Sequence, residues 1–227
     1  MTLISRIGRA LVLAPHPDDD VLGCGGTIAR IASSGGSVEV AIVTRGQAPR
    51  FDSVQVDAVR AEAEQAHRVL GVSRSHFLDL PAAALDGLPQ ADLNHEIGKI
   101  IAHVRPDTLF VPFVGDLHLD HRLVFEAALV AARPRGNTYP VRILAYETVS
   151  ETNWAAPTLT PAFQPNIFIE IADQLEAKLA AFSCFASQIR AFPDERSLET
   201  LRALALVRGS TITRVAAEAF MLIREVS

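Results

Sequence analysis

Lysine is nearly absent from this sequence: Lys99 and Lys178 are the only two, and the arginines are scattered. A nucleic-acid-binding surface needs a basic face, and a net charge of -5 without any Lys/Arg patch excludes that class. Cysteine is equally scarce. Cys24 and Cys184 form neither a metal pattern nor a disulfide framework, which fits a reducing compartment, and the chain is expected to be cytoplasmic. No uninterrupted apolar run reaches the ~20 residues of a membrane span. Only a few apolar residues precede the acids at 18–20, so the opening does not read as a signal peptide. No Pro/Ser/Gly-rich linker divides the chain, and there is no internal repeat or low-complexity tract. What remains is 227 residues, 49% of them hydrophobic, the composition of one domain, 1–227, with a sizeable core. That hydrophobic content also suits a buried subunit interface, and a homo-oligomer is expected.

Short apolar runs alternate with helical periodicity. Strands are predicted at 9–15, 37–46, 75–81, 107–113, 140–147, 166–171 and 217–225. Helices are predicted at 20–35, 53–72, 91–106, 120–133, 173–189 and 195–210. Nearly continuous apolar strands in this alternation predict an α/β fold: a doubly wound, mostly parallel sheet with helices on both faces. The stretch 150–165, rich in Pro, Thr and Ala, reads as a long loop, with Trp154 available for stacking on a sugar face or for packing.

Ligands of such sheets sit beyond the carboxyl ends of the strands. The first strand runs there into "PHPDDD", which crowds His16, Asp18, Asp19 and Asp20 into five positions. Carboxylates this close are unfavourable unless something positive sits among them. The fourth strand ends in "GDLHLDHR", with Asp116, His118, Asp120 and His121. Histidine and aspartate ligands drawn from both clusters would balance a divalent cation and leave a position open for water. His67, His76, His95 and His103 lie outside these clusters and read as surface or satisfied core histidines. Gly23, Gly25 and Gly26 lack dinucleotide-binding spacing and are expected to let a helix pack closely on a strand. Asp20 is expected at a helix N-terminus, interacting with the helix dipole, and Cys24 as small packing filler.

"PHPDDDVLGCGG" together with "HLDH" resembles the paired signature of the PIG-L/LmbE-like zinc-dependent N-acetylglucosaminyl deacetylases. "VTRG", "RPDTLFVP", "SQI" and "AEAFMLIRE" extend the similarity over most of the chain. Asp20 stands where that family more often has Glu. The resemblance implies a Rossmann-like fold and removal of the acetyl group from an N-acetylated sugar conjugate by metal-activated water. It implies Zn2+ ligands at His16, Asp19 and His121, a general base at Asp18, an oxyanion-stabilising or acidic His118, and Asp120 as the acid that orients His118. Arg45, in "VTRG", is an expected substrate contact, with a structural ion pair as the alternative reading. Two other classes fit the residues. Two histidines and a carboxylate also make the facial triad of a non-haem Fe(II) oxygenase, and a metal- or nucleotide-binding domain without catalysis would need fewer of these groups.

Overall fold

The computed structural model describes residues 3–135 and 139–226; the extreme ends of the expected 1–227 domain lie outside the described residues. Seven strands are found: β1 (Arg9–Ala14), β2 (Ser37–Arg45), β3 (Arg74–Pro81), β4 (Thr108–Pro112), β5 (Arg142–Tyr146), β6 (Ile167–Glu170) and β7 (Ala217–Glu225). The main helices are α1 (Asp19–Ser33), α2 (Ser53–Leu70), α3 (Gln90–Val104), α4 (Leu119–Ala131), α5 (Leu175–Phe182) and α6 (Leu198–Ser210). Every predicted strand and helix is present. The one large difference in length is α5, which stops at Phe182 rather than 189 and gives way to turns. The 150–165 segment carries no helix or strand.

The strands form one sheet in the order β3-β2-β1-β4-β5-β7-β6. Pairing is parallel from β3 through β5, and β7 runs antiparallel to both of its neighbours. Side chains alternate across β1. Ala10, Val12 and Ala14 join the core beneath α1, α2, α5 and α6, while Leu11 and Leu13 join the core beneath α3 and α4. Both faces are therefore covered, which is why the central strands read as unbroken apolar runs.

The strand order reverses at β1, where β2 departs to one side and β4 lies on the other. This switch point opens a crevice at the carboxyl ends of β1 and β4. Residues 16–20 follow β1 and residues 116–121 follow β4, so the topology alone brings the two polar clusters together. Helix α1 is then fixed closely over the sheet. A Cβ added at Gly23 would lie 2.3 Å from the Tyr146 ring, and one at Gly26 would lie 2.6 Å from Ile171, so both positions need the missing side chain. A buried Lys178–Glu218 pair at 2.6 Å braces the same helix. Lys178 Nζ donates to the Leu22 carbonyl, and Glu218 accepts from the Gly26 and Thr27 amides.

Candidate metal centre and catalytic cleft

Asp18 is the N-cap of α1, yet its side chain makes no capping hydrogen bond. An aspartate at this position ordinarily accepts from the next helical amides. Here its Oδ2 accepts instead from Arg196 Nη1 at 2.6 Å. Asp19, in the first helical turn, points to the other side. Its Oδ2 accepts the His16 amide at 2.8 Å and lies 3.2 Å from both His16 Nδ1 and His121 Nε2. His121, in the first turn of α4, donates from Nδ1 to Asp116 Oδ2 at 2.8 Å, and Asp116 Oδ1 accepts from the Thr152 hydroxyl at 2.6 Å.

The three atoms His16 Nδ1, Asp19 Oδ2 and His121 Nε2 fit a divalent cation. His121 Nε2 is buried and has no hydrogen-bond partner among the described residues, although a carboxylate oxygen sits beside it. The donor chemistry, two imidazoles and a carboxylate around one point, is that of zinc and its neighbours in the first transition row. Each histidine of this candidate set has its other nitrogen held by a carboxylate, His121 by Asp116 and His16 by Asp120 at 3.1 Å. Such partners fix ring orientation and tautomer at metal sites. A second His/His/Asp grouping, His16, His118 and Asp120, shares the His16 ring. Both groupings draw on the His16 imidazole, whose Nε2 already bonds the Asp120 carboxylate.

Asp120 lies beside His118, as expected, but makes no carboxylate hydrogen bond to it. Its carboxylate binds His16 and the Ala83 amide (2.7 Å), and its tie to His118 runs through the backbone, whose N–H donates to His118 Nδ1 at 3.2 Å. His118 is thus the N-cap of α4, with its ring proton left on Nε2. Burial lowers the pKa of His118, and the neighbouring positive His16 lowers it further, against the pull of Asp120.

The rest of the cluster answers the crowding of acids directly. Burial opposes charge on His16, but its hydrogen bonds to Asp120 and Asp19 outweigh it and raise its pKa to about 9. His121 is likewise raised to about 10 against burial, by the charge of Asp19 and the Asp116 hydrogen bond. The acids around these rings favour positive charge at this point, whether it is carried by protons or by a bound cation. Asp19 is held well below the usual carboxylate range by His121 and His16, which overcome its burial. Asp18 moves the other way: burial raises it to about 6, although Arg196 opposes the rise.

His16, Asp18 and His118 line a cleft of about 620 Å³, with Arg45 and Gly46 on one wall and Gln188, Arg190 and Arg196 on the other. Arg45 stands at the end of β2 as expected and donates to Asp57 Oδ1 at 2.8 Å; both side chains are well exposed. Trp154 is 67% exposed. Asp20 is fully buried on α1, paired with His67 Nε2 at 3.1 Å, while His67 Nδ1 bonds the Ser75 hydroxyl, so His67 is a satisfied core histidine. His76 is paired with Glu39 at 2.6 Å. Cys24 is buried packing.

The sequence reading gave no role to two residues that contact the cluster. Asp116 belongs to the recognised second cluster, and its five-residue spacing to His121 was the available signal. Arg196 had none, because it lies 178 positions from Asp18 within an ordinary polar turn.

The family described as "PIG-L: GlcNAc-PI de-N-acetylase" matches residues 11–132, more than half of the chain and both polar clusters. Diacetylchitobiose deacetylase of Thermococcus kodakarensis is 30% identical over 203 residues, covering 83% of this chain and 72% of its own. The structure of N,N'-diacetylchitobiose deacetylase from Pyrococcus horikoshii superposes with a TM-score of 0.74 at 26% identity, over 97% of this chain and 85% of that one. A 4-carboxy-2-hydroxymuconate hydratase from Pseudomonas putida KT2440 gives 0.78 at 23% identity, over 96% and 97%. This last likeness concerns the fold alone, and folds host more than one chemistry. With both signature clusters inside the matched segment and converging on one cleft, the chain belongs to the PIG-L/LmbE-like family of N-acetylglucosamine deacetylases.

Proposed function

We propose that this protein is a zinc-dependent hydrolase that removes the acetyl group from the amide nitrogen of an N-acetylglucosamine-type sugar conjugate. One observation carries the reading. His16, one of the His16/Asp19/His121 donor set, lines a cleft that also presents two groups outside that set, Asp18 and His118. A site for metal storage or sensing has no use for a separate carboxylate and imidazole at the same mouth. The deacetylase relatives support the substrate class.

His16, Asp19 and His121 would hold the ion. Bound there, zinc supplies Lewis-acid activation of water and of the acetyl carbonyl. Asp18 accepts the proton of the attacking water, a task suited to a carboxylate kept out of the ligand set. His118, with its proton on Nε2, donates to the carbonyl oxygen as negative charge develops. Removing one such donor typically costs ~2.7–4 kcal/mol of transition-state stabilisation. Asp18 and His118 both line the cleft from which the leaving amine must take a proton. Asp120 holds His16 in its tautomer. Arg45 reaches the substrate by exchanging Asp57 for sugar hydroxyls or an anionic group, since an exposed ion pair is worth little.

The test is free-amine release from a panel of N-acetylglucosamine conjugates by the zinc-loaded protein, with metal content measured in parallel. Release that disappears in His118→Ala while metal is retained supports the reading. A metal-loaded wild type that releases amine from no conjugate, or that consumes oxygen in the manner of a facial-triad oxygenase, overturns it.

A further inference from the structure

Two adjacent carboxylates, Asp18 and Asp19, sit beside one cation site, yet the reading above gives them different tasks. Nothing in their own chemistry separates them. Both are buried, and both belong to the same turn into α1. A carboxylate near a divalent cation tends to join its ligands, and a base that becomes a ligand no longer accepts a proton.

The structure supplies the discriminating group from the far end of the chain. We infer that Arg196 is a positioning residue that holds Asp18 out of the metal's ligand set and presents it as the base. Arg196 Nη1 donates to Asp18 Oδ2 at 2.6 Å and to Gln188 Oε1 at 3.1 Å, while its Nε donates to Ser150 Oγ at 3.1 Å. Its backbone is tied as well. The Arg196 amide donates to Asp194 Oδ1, and the Arg190 amide donates to the Arg196 carbonyl. Ser197, the next residue, is the N-cap of α6, so the position of Arg196 is set by a helix start. A planar, multiply anchored guanidinium holds a carboxylate in one orientation, which a flexible lysine does not do equally well. The other Asp18 oxygen, Oδ1, has no hydrogen-bond partner among the described residues and is left for proton transfer in the cleft.

The same contacts give Arg196 a second consequence. It joins the turn at 150 and the segment 187–197 to the base, and Asn153 adds a bond to Glu195 at 2.7 Å. Both segments border the cleft through Glu151, Gln188 and Arg190.

The inference rests on the proposed role of Asp18, and its test therefore has a readout that needs no substrate. Arg196→Ala, Arg196→Lys and wild type are loaded with Co2+, and visible absorption and Co2+ affinity are measured. Without Arg196, Asp18 swings to the ion. Arg196→Ala should change the ligand-field bands toward higher coordination number and tighten Co2+ binding several-fold, and Asp18→Asn added to Arg196→Ala should abolish both changes. With substrate, Arg196→Ala should lower kcat and kcat/KM together by about 10²-fold, the size typical of a misplaced reacting group, with KM little changed. Arg196→Lys should recover part of the loss. Spectra and affinity identical to wild type overturn the inference, as does a loss confined to KM, which would make Arg196 a substrate contact. Altered spectra with no deacetylation by any variant or by wild type would uphold the positioning of Asp18 and sink the deacetylase reading alone.

Discussion

Asp18→Ala and Asp19→Ala separate binding from chemistry at neighbouring positions. The Asp18 carboxylate bonds Arg196 and neither His16 nor His121, so its removal should leave the metal in place and lower turnover by roughly 10²–10⁴-fold, the usual contribution of a general base. Asp19 lies 3.2 Å from a nitrogen of each ligand histidine, so Asp19→Ala should lose metal and activity together. Elemental analysis beside amine-release assays checks both, and exchanged behaviour would reverse the assignment. At this scale the sequence was informative where chemistry is local. Crowded acids demand a counter-charge, which was legible locally; the choice of His16, Asp19 and His121 came from the family resemblance, and the fold brings these three together as a candidate metal site. It was less informative about partners. The family resemblance made Asp120 the acid that orients His118, but the turn into α4 aims the carboxylate at His16, so His118 receives its hydrogen bond from the backbone amide and feels the carboxylate through charge alone. Arg196 was out of reach of any local pattern, since the contact is made by the return of the chain after α5.

At the scale of elements, the crevice depends on how tightly α1 lies on the sheet. Apolar periodicity and Gly/Pro punctuation marked each strand and helix, because burial on one or both faces leaves a periodic trace. The order of the last two strands left none: β7 slips between β5 and β6, a pairing set by register and not by local composition. The glycine run at 23–26 was legible as close packing, and its contacts now give it a magnitude. Gly23→Ala forces a methyl group into the Tyr146 ring and toward the Glu147 carbonyl. Overpacking of this kind costs about 1–3 kcal/mol. The displaced helix also carries Asp18 and Asp19 at its start. Gly23→Ala should therefore show a lower denaturant midpoint together with weakened metal retention. A variant with an unchanged midpoint would mean that Tyr146 yields freely and that α1 is not clamped at this point.

For the whole molecule, an ion held by the candidate donor set would cross-link two halves of the sheet edge. His16 and Asp19 belong to the turn after β1, and His121 to the helix after β4, about a hundred residues later. In the unfolded chain these ligands are dispersed, so an ion that binds the assembled set stabilises the native state by RT ln(1 + [L]/Kd), about 2.7 kcal/mol at a hundredfold excess over Kd. For a chain of this length each kcal/mol moves the melting temperature by about 2–4 °C, so zinc at that excess should raise it by roughly 5–10 °C over chelator-treated protein. His121→Ala also removes a buried partner of Asp116 and Asp19, so its melting temperature in chelator should already be lower. The informative quantity is the difference that zinc makes. With Asp18 outside the ligand set, as proposed, wild type and Asp18→Ala should both show the full rise in differential scanning calorimetry, whereas His121→Ala should show little or none. A full zinc-dependent rise in His121→Ala would place the ion elsewhere, and a rise lost in Asp18→Ala would make that carboxylate a ligand after all.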